Sequence, residues 1–230
     1  ASSGPSGHLW MLDSWDDDGL PWGRDGALHP IDASRFRRVS FRMWTNATPD
    51  LASREQLVSM LISGGAYAAS SIDARIFELL ERVGVFLANG VIVDSHAFSL
   101  YGNMLGVRWD SETTRTQDID VATERHVVIG IANRPINLRQ ALAESELGFI
   151  EIPALNRKAP STKFRIRGQQ LSVDILTPMV GRTSAKAIHI PSLQVFAEPV
   201  RFLDYLLVDA QPAVVVAKAG LLVNVPAPAR

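Results

Sequence analysis

The sequence predicts an α/β (α+β) domain, and three observations carry the prediction. After Gly84, short apolar runs alternate with helical stretches, the grammar of a mixed sheet flanked by helices. Before it, two amphipathic segments stand back to back and form a small helical unit. Two strand-like runs on either side of Gly168-Gln169 are separated by a two-residue turn, the spacing of a hairpin.

Residues 1–34 carry three Trp, an acidic run (Asp16, Asp17, Asp18) and scattered Gly and Pro, and are expected to be an irregular N-terminal arm. Residues 35–44 alternate loosely and suggest a strand with a basic edge, either solvated or touching a phosphate. From Pro49 the pattern is helical: Leu51, Leu57, Val58, Met60, Leu61 and Ile62 form a stripe, Ser53 is a candidate N-cap, and Gly64-Gly65 ends the run. A second helix is expected over 71–83, with Ile72, Ile76, Leu79, Leu80 and Val83 on one face and Gly84 as its stop.

Val85–Leu87 and Val91–Val93 then read as short strands, 95–104 as a helix, Thr116–Ala122 as a strand and 137–147 as a helix. Strands are expected over 162–167, 171–176 and Ile188–Ile190, a mixed segment over 199–207, and a last apolar hairpin from Val214–Val216 and Leu221–Val225. This divides the chain into an arm (1–50), a helical unit (51–84), a core (85–210) and the start of a further C-terminal region (211–230).

Composition removes several classes of function. With 47% hydrophobic and 20% charged residues the chain is ordinary globular material. It has no cysteine, so there is no disulfide framework, thiol nucleophile or thiolate zinc site. A net charge of -1 argues against a globally basic nucleic-acid binder but leaves a local basic patch open. No apolar run is long enough to span a membrane and no leader is evident, so the expectation is a cytoplasmic protein with no membrane partner.

The chemistry lies in lone acids on strands. Asp118-Ile119-Asp120 puts two carboxylates on one face and Ile119 and Val121 on the other. Like charges so placed make sense around a divalent cation, with a solvated strand end as the alternative. Asp174 is again a lone acid in an apolar strand, and burying it calls for a partner or a metal. The hairpin turn fixes the register: Lys163 faces Asp174, Arg165 faces Ser172 and Arg167 faces Gln170. Cations beside acids on one face describe a polyphosphate site; a structural Lys–Asp cross-strand pair is the alternative. Finally, Val91-Ile92-Val93-Asp94-Ser95-His96 runs from strand into helix, where free amides bind phosphate. Ser95 would cap that helix or bond a phosphate. His96 is either a ligand of base or phosphate, or a structural first-turn residue.

The order strand, small residue, helix, Asp–apolar–Asp, later lone carboxylate resembles the nucleotidyltransferase (DNA polymerase beta-like) superfamily. "VIVDSHAFSLYGNMLGVRWDSETTRTQDIDVA", "APSTKFRIRGQQLSVDILTP" and "RFLDYLLVD" look like a bacterial group within it, and the resemblance covers about residues 51–228. It implies the nucleotidyltransferase fold, with Asp118 and Asp120 as the metal-binding pair, Asp174 as the third catalytic and metal-binding carboxylate, and Ser95 as the second small residue of the phosphate turn. It also implies Mg²⁺ (or Mn²⁺), a nucleoside triphosphate, and transfer of its nucleoside monophosphate to a hydroxyl of RNA such as tRNA, a small molecule or a protein. Lys163 and Arg165 would neutralise phosphate charge. Toxins that modify transfer RNA share this fold, which leaves a toxin-like role open. Members usually continue into a C-terminal helical region. The superfamily has Gly where this chain has Asp94, and that departure favours the other reading, an inactive relative that binds nucleotide or a partner without turnover.

Overall fold

The computed structural model describes residues 47–109, 117–124, 136–154, 156, 158–181 and 186–229. Residues 1–46 of the expected arm, which include the basic strand at 35–44, and Thr116 lie outside the described residues, while 47–50 open the first helix. The chain divides into two units, Ala1–Ser53 and Arg54–Arg230, and the fold described here is that of the second.

Helix α1 (Ala47–Ser63) begins before Ser53, which is therefore an interior residue and not its cap. Of the apolar stripe only Val58 is buried; Leu57, Met60, Leu61 and Ile62 are exposed. Arg54 ties the helix to the C-terminal hairpin by donating to the carbonyls of Ala219 and Gly220 at 2.9 and 2.7 Å. Helix α2 (Ser71–Val83) follows the pattern closely. Ser70 Oγ accepts the Asp73 amide at its start, and Gly84 ends it at φ 89, a conformation glycine adopts without a Cβ clash. Its buried face is Ala74, Ile76, Phe77, Leu79 and Leu80.

Val85–Leu87, expected as a strand, is a turn. The Val85 amide bonds back to the Leu80 carbonyl and the Gly90 amide to the Val85 carbonyl, so the chain folds on itself and Val85 and Phe86 plug the core. A Cβ on Gly90 would meet the Val85 side chain at 2.5 Å and its carbonyl oxygen at 2.8 Å, which keeps the position to glycine. Strand β1 (Val91–Val93) and helix α3 (Asp94–Leu105) come next, then β2 (Asp118–Ala122). Helix α4 (Leu138–Ala143) is shorter than the expected 137–147. Asn137 caps its start, and Ser145 Oγ donates to the Leu142 carbonyl as the chain turns towards Gly148 at φ 69.

Strands β3 (Phe149–Glu151), β4 (Lys163–Ile166), β5 (Ser172–Pro178), β6 (Ile188–Ile190) and β7 (Val195–Val200) follow, then helix α5 (Leu203–Leu207) and the hairpin β8 (Gln211–Val215) and β9 (Leu221–Val225). Strands β1 to β7 form one mixed sheet in the order β1-β2-β5-β4-β3, with β7 paired to β5 and β6. β2 and β5 run parallel, β5 and β7 run parallel, and the other pairs are antiparallel.

One sheet face carries Ile92, Ile119, Val121, Val173 and Ile175 into the main core, where the buried residues of α2, α3 and α4 and of the β8–β9 hairpin join them. On the other face, Val91, Val93, Ala122 and Leu176 pack with Leu203 and Leu207 of α5. Period-two alternation puts Asp118, Asp120 and Asp174 on that second face, beyond the apolar patch that α5 covers.

Candidate active site

β2 and β5 bring the three acids together. Their parallel register pairs Asp118 with Ser172 and Asp120 with Asp174, while Ile119 and Val173 point into the core. On the other side of β5, antiparallel β4 sets Lys163 opposite Asp174 and Arg165 opposite Ser172. This is the register the two-residue turn implied, and burial of Phe164 and Ile166 locks it, since a one-residue slip would drive them into water.

Lys163 Nζ lies 2.9 Å from Asp174 Oδ2 and 3.6 Å from Asp118 Oδ1, so a single ammonium serves two carboxylates. Ser172, fully buried, donates its hydroxyl to Asp118 Oδ1 and stands 3.4 Å from Asp174 Oδ1. Its one proton goes to Asp118. Sequence reasoning passed over Ser172 as a site residue; the available signal was a small polar residue two positions before Asp174, in register with Asp118. Arg165 is exposed on the same strand as Lys163.

Electrostatics separates the three acids. Burial, then the charges of Asp174, Asp94 and Asp118, push Asp120 up to about 6, with Lys163 pulling the other way. Asp120 alone of the three takes no hydrogen bond or ion pair among the described residues. Burial also raises Asp174, more than its bond to Lys163 lowers it. Burial disfavours the Lys163 ammonium, but Asp174 and then Asp118 outweigh that and hold it charged to higher pH than usual.

β1 delivers the helix turn to this place. Val93 pairs with Asp120, and α3 begins at the next residue. The cap position is Val93, with no side-chain capping bond, so neither Ser95 nor Asp94 caps the helix. Asp94 adopts φ 58, the left-handed region that favours glycine, and its carboxylate is exposed. Ser95 is half-buried in the first turn. His96 is turned inward against α2: its Nε2 is 4.0 Å from Asp73 Oδ1, and its ring meets the Phe77 ring edge-on at 5.7 Å. Burial lowers its pKa, against the opposing charge of Asp73, the Asp118 backbone and the charges of Asp94 and Asp118, which favours a neutral ring. Its placement is that of a core residue under the turn.

The donor set is carboxylate oxygen, the chemistry of a hard cation. Among the described residues no group of three His, Asp or Glu side chains is placed to hold an ion unaided. Mg²⁺ does not require such a cage: it keeps several waters and is bound through one or two carboxylates plus substrate phosphates. Asp118 and Asp120, on one face of one strand beside an uncapped helix start, fit that use. No described helix is long and apolar enough to cross a membrane.

A family model described as "Nucleotidyltransferase" matches residues 72–230, from α2 onward and including every residue of this site. Neither a curated protein nor a solved structure matches the chain.

Proposed function

Because the chain belongs to a nucleotidyltransferase family, we propose that it is a Mg²⁺- or Mn²⁺-dependent enzyme that moves a nucleoside monophosphate from a nucleoside triphosphate to a hydroxyl of an acceptor: RNA such as tRNA, a small molecule or a protein. The observation that carries this reading is the side-by-side placement of Asp120 and Asp174 on parallel strands, with Asp118 on the same face and Lys163 between.

Asp118 and Asp120 would hold the divalent ion, and Asp174 stands beside them as the third carboxylate. When bound, that ion supplies charge neutralisation on the phosphates and on the pyrophosphate as it leaves. The acceptor hydroxyl oxygen bonds to the α-phosphorus, the bond from that phosphorus to the bridging oxygen breaks, and the hydroxyl proton passes to Asp174. A carboxylate raised by burial is better matched to that task than an ordinary one. Lys163 and Arg165 lie on the face where phosphate charge accumulates and would stabilise it. Amides at the start of α3, with Ser95, would bind phosphate. The interior placement of His96 suits support of that turn better than contact with a phosphate.

A second reading, nucleotide binding without turnover, has one specific observation behind it. Asp94 puts a carboxylate where the backbone conformation favours glycine, and its charge reaches Asp120. Incubation with each labelled nucleoside triphosphate, Mg²⁺ and total cell RNA or lysate separates the two. Label joined to a macromolecule or small molecule, and lost in Asp120→Asn, supports transfer. Saturable nucleotide binding with no labelled product supports the second reading.

A further inference from the structure

The three acids are not equivalent in their partners. Asp174 is flanked by Asp120 on β2 and by Lys163 on β4, and its Oδ2 accepts from Lys163 Nζ at 2.9 Å. The same ammonium is 3.6 Å from Asp118 Oδ1, which also accepts the Ser172 hydroxyl. Lys163 is held there by strand register and is only partly exposed, so it is not a surface lysine that has wandered in. Asp120 is left as the acid that no side chain among the described residues contacts by hydrogen bond or ion pair, feeling the Lys163 ammonium only at a distance.

We propose that Lys163 stands in the place of a second cation, so that this site takes a single divalent ion, centred on Asp120 with Asp118, and Asp174 ligates none. The proposal rests on the nucleotidyl-transfer reading and adds to it the number of ions and the office of Lys163. Before the nucleotide arrives, Asp118, Asp120 and Asp174 with the Lys163 ammonium and one divalent ion sum to zero charge. A second divalent ion at Asp174 would lie against the ammonium already bonded to that carboxylate, and the two cations would repel. Mg²⁺ also gains little from Asp174, since phosphate oxygens and water complete its shell. Lys163 is then a fixed charge that is present before the nucleotide arrives and needs no second ion from solution.

The test counts ions. Mn²⁺ bound per chain is measured by electron paramagnetic resonance on the full chain, with a saturating α,β-methylene nucleoside triphosphate. One ion per chain is expected for the wild type and for Lys163→Arg, which keeps the charge. Two are expected for Lys163→Met and Lys163→Gln, which empty the position. Asp174→Asn should leave the count at one, whereas Asp120→Asn should weaken Mn²⁺ binding by about tenfold or more, as loss of a ligand does. Two ions in the wild type, falling to one in Asp174→Asn, would overturn the proposal. So would a count of one in both neutral Lys163 variants. Should those variants fail to fold, the wild-type and Asp174→Asn counts decide alone. Failure of the underlying reading looks different: no saturable Mn²⁺–nucleotide binding by the wild type, or binding that Asp120→Asn leaves unchanged.

Discussion

Asp120 on β2 stands directly opposite Asp174 on β5, across two strands that run parallel. Burial first, and then the like charge of Asp174 beside it, push Asp120 up to about 6 from the usual 3.8.

That shift has a definite sign for stability. A raised carboxylate means that the folded chain holds its proton after the unfolded chain has released it. Stability from this group is complete below the unfolded value and falls as pH rises from 3.8 to about 6. The loss is about 1–3 kcal/mol above that window. Without divalent ions, Asp120→Asn should therefore melt higher than wild type at about pH 7.5 and equal to it near pH 4. The same variant should lose Mg²⁺–nucleotide binding. Melting curves at the two pH values check the first point and calorimetry the second; a variant less stable than wild type at the higher pH would refute the charge argument.

Ser172 is predicted to matter through Asp118. Ser172→Ala removes a buried hydroxyl that a carboxylate uses, at a cost of about 1–3 kcal/mol by denaturant midpoint. Freed from its bond, Asp118 is oriented less well, so Mn²⁺ affinity should fall while the nucleotide affinity measured in chelator stays level.

At Asp94 two causes can be separated. Asp94→Gly removes both the charge and the Cβ at φ 58, whereas Asp94→Asn removes the charge alone. Because the Asp94 charge raises Asp120, both variants should bring Asp120 back towards the usual carboxylate range and tighten Mg²⁺–nucleotide binding. A gain of about three- to tenfold corresponds to roughly 1 kcal/mol. The gain should be larger at low salt, where screening is weak. If only Gly tightens binding, backbone approach is the cause; equal affinity in all three proteins would dismiss Asp94 as a brake.

Asn224 tests how the C-terminal hairpin serves the fold. Its Nδ2 donates to the carbonyls of Phe86 and Gly90, 2.8 and 3.0 Å away, and so fastens β9 to the turn that launches β1. Asn224→Ala should cost about 1–3 kcal/mol, because both carbonyls lose their donor. A urea transition unchanged from wild type would show that water replaces the amide fully.

Much of this was legible in the sequence because local patterns decided it. The face of α2, its Gly84 stop, the alternation of Asp118 and Asp120, and the pairing of Lys163 with Asp174 all follow from period and turn geometry. What was hidden depended on distant partners. β7 alternates cleanly, with Val195 and Ala197 buried and Phe196 and Glu198 exposed, yet the sequence suggests only a mixed segment from 199 and no strand there. β3 has three residues, one of them buried, and exists because β4 offers an edge. Val85–Leu87 is as apolar as a strand yet bends back on Leu80. The role of Ser172 needed the parallel register with β2, which no local signal sets.

The parallel pairing of β2 with β5 also has a kinetic side. It joins Asp118 to Ser172 across 54 positions of chain, a closure that local hairpins such as β4–β5 do not require. Long closures are entropically costly and complete late. The acids are then expected to meet only after most of the molecule has organised, with their mutual repulsion absent from the transition state. Its effect falls on the rate of leaving the native state and not on the rate of reaching it. In a chevron plot, raising the pH through the Asp120 window should lift the unfolding arm and leave the folding arm in place, and a divalent ion should lower that same arm again.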